Sequence, residues 1–177
     1  MQKLVIRYGL IASAITAIFM GVTSILIANF EGSAINWIWG FAGMLITFST
    51  IAMALRQYKL DNPELPLTYW KALQIGLLIT LMASIAYVIC WKIYMTIFFP
   101  DFMEKYSQQM IDKLNNGGAP ADVIAKQTKG FMEMRENYKN PLYFAFYTFV
   151  EIFPVGLLVS LILPIFYRTK KAEPAEV

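Results

Sequence analysis

Of 177 residues, 58% are hydrophobic and only 15% charged, whereas about a quarter of an ordinary soluble domain is charged. The formal charge is +3, there is no histidine, and Cys90 is the single cysteine. That inventory holds no imidazole base, intrachain disulfide or Cys/His zinc set, and no basic surface interleaved with aromatics to follow a nucleic-acid backbone.

Four apolar stretches follow along what reads as one membrane domain. The first runs from about Tyr8 to Phe30 and the second from about Ala34 to Leu55, neither with an internal charge. At roughly 22 residues each, both are long enough to cross about 30 Å of hydrocarbon. The first exceeds the roughly 7–15 apolar residues of a signal peptide, so it is expected to be retained as a span. The third begins at Ala72, stays uncharged through Trp91 and continues past Lys92 to Phe99, where Pro100 stops it. The fourth runs from Leu142 to Tyr167 and is interrupted only by Glu151. Pro154 and Pro164 each remove a backbone donor there and are expected to bend it.

Between the third and fourth spans lies an insertion, residues 101–140. Phe102, Tyr106, Met110 and Leu114 recur every four residues, and Ile124, Gln127, Phe131, Met134 and Tyr138 every three or four. This spacing predicts two amphipathic helices. Asn115-Asn116-Gly117-Gly118 separates them, Pro120 suits the first turn of the second, and Asn140-Pro141 marks the boundary before the last span. The expected fold is therefore an all-α integral membrane protein, four transmembrane helices with an external two-helix insertion between spans three and four.

Orientation follows from lysine and arginine, which short cytoplasmic loops retain. Lys3 and Arg7 precede span one; Arg56, Lys59 and Lys71 lie between spans two and three; Arg168, Lys170 and Lys171 follow span four. The Glu31–Asn36 loop has none, and the insertion carries six basic and six acidic residues. Both termini are expected in the cytoplasm and residues 101–140 outside. Trp37, Trp70, Trp91 and Tyr94 fall near span ends, where amphipathic rings settle.

Within the bilayer, helices associate through close backbone approach, so rows of small residues mark contact faces. Such rows are Gly9, Ser13, Ala17 and Gly21 on span one; Gly40, Gly43, Thr47, Thr50 and Ala54 on span two; Ala72, Gly76, Thr80 and Ser84 on span three. Span four offers Gly156 and Ser160. Packing within the chain is the simplest use of these rows; a homo-oligomer contact or the lining of a narrow path are the others.

Tyr8-Gly9-Leu10, Arg56-Gln57-Tyr58, Thr68-Tyr69-Trp70-Lys71-Ala72-Leu73, Trp91-Lys92-Ile93-Tyr94, Asp101-Phe102-Met103-Glu104-Lys105-Tyr106, Lys139-Asn140-Pro141 and Glu151-Ile152-Phe153-Pro154-Val155-Gly156-Leu157 occur in this order. Together they resemble an uncharacterised four-span membrane family of Bacteroidota-type bacteria, the DUF4199-like proteins. The resemblance covers nearly the whole chain. It implies a bacterial inner-membrane location and carries no reaction, cofactor or ligand. An outer-membrane protein would instead show alternating strands.

Lys92 and Glu151 are the charges at membrane depth. Lys92 precedes Pro100 by eight positions and Glu151 follows Pro141 by ten, so they sit roughly 12 and 15 Å from the same ends of their helices. Intramembrane ionisable groups face the bundle interior or water and pair with one another. Three arrangements follow: a structural Lys92–Glu151 pair, a snorkelling Lys92 with Glu151 facing span two or the insertion, or a titratable relay. Glu151 lies about 140° around its helix from Gly156, off that residue's close-packed face. The expected function is non-catalytic, an accessory inner-membrane protein that meets a protein partner through residues 101–140. The alternative is a small transporter or proton-linked channel using Glu151 and Lys92.

Overall fold

The computed structural model describes residues 1–29 and 35–169, and the side chains among these outside 24–37. The expected span ends at Phe30 and Ala34, the Glu31–Asn36 loop, the Trp37 ring, and Lys170 and Lys171 lie outside what is described. Six helices occur among the described residues: α1 Gln2–Asn29, α2 Ile35–Asp61, α3 Tyr69–Ile97, α4 Phe102–Asn116, α5 Ala121–Asn137 and α6 Pro141–Tyr167. Four are long and apolar enough to cross a membrane: α1, α2, α3 and α6.

Helix ends extend beyond the apolar runs. α1 starts at Gln2 rather than near Tyr8, and α2 continues past Leu55 to Asp61. The added turns hold Lys3, Arg7, Arg56 and Lys59, all exposed; such side chains have stems long enough to carry their charges from an apolar helix to polar surroundings. Charge ends the apolar run without ending the helix. α6 stays helical through Pro154 and Pro164. Its start is capped by Asn140, whose Oδ1 accepts hydrogen bonds from the amides of Leu142 (2.9 Å) and Tyr143 (3.4 Å). Between α4 and α5, Gly118 adopts φ +67°, a left-handed conformation that suits glycine. Pro120 stands one position earlier than expected, at the N-cap of α5 with φ −57° and ψ 146°.

The chain divides into two compact units. The span unit comprises Met1–Cys90 and the chain from Phe149 on; the insertion unit is Trp91–Thr148 and takes in the last turns of α3 and the first turns of α6.

Small residues and hydroxyls make the helix contacts of the span unit. Gly9 lies beneath Met82, Gly43 against Phe19, Gly76 against Ser160, and Gly156 against Thr80 and Phe48. Hydroxyls meet across helices at Thr16–Thr47 (3.2 Å) and Thr80–Ser160 (3.1 Å). Close approach and interhelical hydrogen bonds replace hydrophobic expulsion, because lipid is as apolar as the side chains it would displace. Among the described residues Gly40 has no neighbour within 4 Å of where a side chain would stand, and the contacts of the span-two row begin at Gly43. Where α6 ends, the Thr169 amide donates to the Leu67 carbonyl (3.0 Å) and its hydroxyl accepts from the Leu67 amide (3.1 Å). That clip ties the α2–α3 link to the end of α6.

The insertion unit is built differently. Phe102 stands edge-on to Trp91 at 5.2 Å and stacks on Tyr106 at 6.0 Å; Tyr106 is edge-on to Phe131 at 6.5 Å. These contacts carry the four-residue spacing of α4 onto α5. Arg135 pairs with Glu104 across the two helices at 3.1 Å. No α5 side chain is fully buried.

Candidate functional site

Lys92 and Glu151 fall in different units, so each is described with the neighbours of its own unit.

Glu151 is the eleventh residue of α6, about 15 Å from its start. The phase expectation holds: Gly156 packs against α2 and α3, while Glu151 stands exposed off that face. The Tyr87 hydroxyl donates a hydrogen bond to its carboxyl group. Tyr87 was not singled out from the sequence, yet it follows Thr80 and Ser84 at helical spacings of seven and three. It thus continues the small-polar row of α3 toward Glu151. Ser84 is wholly buried, and its hydroxyl has no hydrogen-bond partner among the described residues. Thr80–Ser160 and Tyr87–Glu151 are thus two polar contacts along the α3–α6 seam, with the buried Ser84 of α3 between them in sequence. The Glu151 carboxyl group can hold a proton there; beside it among these residues stand no second carboxylate and no imidazole for acid/base catalysis.

Lys92 lies in the insertion unit. Its ammonium stands over the Phe144 ring, 5.0 Å from the centroid, a cation–π contact. It borders a cleft of about 400 Å³ that is also lined by Thr96, Asp101, Glu104, Arg135, Tyr138 and Lys139. Two of those cations are matched already, Arg135 by Glu104 and Lys139 by Glu136 at 2.8 Å. Lys139 beside Glu136, first by hydrogen bond and then by charge, holds that carboxyl below the usual range. Asp101 occupies the N-cap position of α4, and its side chain makes no capping bond. The cleft could not be anticipated from spacing, since Lys92 and Asp101 flank the α3–α4 turn while Arg135 comes from the far end of α5 and Lys139 from the turn after it. No group of three metal-ligating side chains gathers among the described residues.

The helices and their contacts define a class, an all-α, multi-pass membrane protein with a two-helix insertion between its third and fourth spans. Residues 7–169 match the family described as "Protein of unknown function (DUF4199)", and the chain belongs to that family. No curated protein and no solved structure matches the chain.

Proposed function

We propose that this chain is a non-catalytic accessory protein of the bacterial inner membrane, with both termini cytoplasmic and residues 101–140 outside, where they meet a protein partner. The observation that carries this reading is α5, which buries no side chain fully. Beside the Phe131 contact to α4, it leaves Met132 60% exposed, next to Glu133, Glu136 and Asn137, which line a shallow depression with it. An apolar anchor rimmed by polar groups is the arrangement protein interfaces favour. A photo-crosslinker at Met132 in native membranes should capture one recurrent protein, while one at the exposed Leu10 of α1 should not. Equal, diffuse labelling at both positions would refute the role.

A second reading draws on the polar seam: a small proton-linked transporter or channel that uses Glu151 and Lys92, with Glu151 as the titrating group. The Tyr87–Glu151 hydrogen bond and the unpartnered Ser84 hydroxyl favour it. Its test is pH-driven flux in proteoliposomes, which Glu151→Gln should abolish while the protein stays folded. Unchanged flux would remove this reading.

A further inference from the structure

We infer that the cleft of the insertion unit binds a zwitterionic aminophosphate, supplied as the headgroup of a phosphatidylethanolamine in the adjoining leaflet. The inference goes beyond the accessory role, stands without it, and gives Lys92 an anionic counterpart beside its Phe144 contact. Charge balance is its first support. Of the charged groups lining the cleft, Arg135 is paired with Glu104 and Lys139 with Glu136. Lys92 and Asp101 remain, one cation and one anion, neither in an ion pair within the unit. An anionic headgroup alone would face the Asp101 carboxylate as a like charge, and a cationic one would face Lys92. A group carrying both a phosphate and an ammonium satisfies the two together. Asp101 keeps its oxygens available because it makes no capping bond to α4.

Depth is the second support. α3 has 29 residues and is about 43 Å long at 1.5 Å per residue, whereas the hydrocarbon core is about 30 Å and the bilayer with headgroups about 40–45 Å. Shared between the two ends, the excess leaves about 6 Å of helix at each end among headgroups. Lys92 stands about 8 Å before Ile97, at the boundary where phosphates begin. Rings collect at the same level: Trp91 against Phe102, Tyr94 beside Phe98, and Tyr143 stacked on Tyr147 at 5.0 Å. This is where aromatic side chains settle in membranes. Met95 and Phe144 line the cleft as well and give the glycerol end of a lipid an apolar wall. Phosphatidylcholine also carries both charges, yet its quaternary ammonium has no N–H to donate to Asp101, so the primary amine is preferred.

Native mass spectrometry of the full chain in detergent, with equal amounts of phosphatidylethanolamine, phosphatidylglycerol and phosphatidylcholine of the same acyl chains, tests this. The first lipid should be retained roughly tenfold over either of the others, the size of one charge-assisted hydrogen bond. Asp101→Asn should erase that preference, and Lys92→Gln should weaken retention of all three, since all carry phosphate. Equal retention of phosphatidylglycerol by the unaltered chain would overturn the inference, as would a preference that survives Asp101→Asn. Both side chains are exposed, and thermal melts would check that the variants fold. If either failed to fold, the three-lipid competition on the unaltered chain would decide alone. Free phosphoethanolamine at the lipid's concentration should not displace it; displacement would overturn the lipid source.

Discussion

The two units solve the same packing problem with opposite chemistry. In the span unit the contacts are made by what side chains lack: Gly9, Gly43, Gly76 and Gly156 admit a neighbour, and hydroxyls pair across the seams. In the insertion unit the contacts are made by what side chains bring, a chain of edge-on and stacked rings and an Arg135–Glu104 bridge. The difference lies in the solvent. Lipid gives no reward for hiding a leucine, so the span helices gain by close approach. Headgroups and water do reward it, so α4 and α5 hide their aromatic stripe and leave twelve charges of residues 101–140 to be solvated.

The largest effect that follows is on glycine. A Cβ at Gly156 would stand 2.6 Å from Cε1 of the Phe48 ring and press on Thr80, and Phe48 is itself fully buried. Gly156→Ala should therefore destabilise the protein by about 1–3 kcal/mol, the cost of overpacking. Gly130, on α5 of the insertion unit, has nothing among the described residues within 4 Å of where a Cβ would stand. Gly130→Ala should be neutral or stabilise by up to about 1 kcal/mol through helix propensity. Thermal unfolding in detergent compares the two; equal losses would erase the contrast between the units.

Next in size is the question of whether the units share a charge pair. Lys92 has the Phe144 ring in its unit and Glu151 has the Tyr87 hydroxyl in its own. In a double-mutant cycle with Lys92→Met and Glu151→Gln, the effects on stability should add to within about 0.5 kcal/mol. A coupling well above that, with the double variant less harmed than the sum, would move Lys92 to the proton-linked reading.

How far these features were legible depends on the distance over which each is determined. Span count and the two insertion helices come from local periodicity, and the contact faces at Gly76 and Thr80 of α3 and at Gly156 of α6 come from small residues spaced along each helix. Helix ends at Gln2 and Asp61 were hidden because Lys3, Arg7, Arg56 and Lys59 stop an apolar count while remaining good helix formers. Glu151 stood out because charge is rare at its depth. Its partner Tyr87 did not, because tyrosine is unremarkable in an apolar run and only the register of α3 against α6 brings the two together. Asp101 escaped for a related reason: an aspartate before a helix reads as a cap, and its free carboxylate emerges only once the cap is seen to be unmade.

A smaller effect is expected at the Arg135–Glu104 bridge, whose side chains are 44% and 60% exposed. Solvent and salt screen it, so Glu104→Gln should cost about 0.2–1 kcal/mol. The loss should shrink as ionic strength rises past about 0.15 M, where the Debye length falls below about 8 Å. By contrast the neutral Thr80–Ser160 contact of the span unit has no charge to screen, so Ser160→Ala should lose the same stability at every salt concentration. A salt-independent Glu104→Gln would mean the bridge is less solvated than its exposure indicates.

The smallest effect lies at the end of α5, where Lys139 hydrogen-bonds both oxygens of Glu136 at 2.8 and 2.9 Å. This pair holds the Glu136 carboxyl below its ordinary value. A group whose pKa is depressed on folding contributes stability that is fully present above its unfolded value and is lost as pH falls through the folded one. The last turn of α5 should therefore lose amide protection progressively as pH falls from the ordinary carboxylate range to below it, as Glu136 becomes protonated. Both side chains are about two-thirds exposed, so the change should be local, read as faster hydrogen exchange at residues 134–139, with no shift in the global melt. Glu136→Gln should abolish the pH dependence of that exchange. If exchange at these amides in the variant still responds to acid as in the unaltered chain, the carboxyl responsible is Glu133 or Glu104 rather than Glu136.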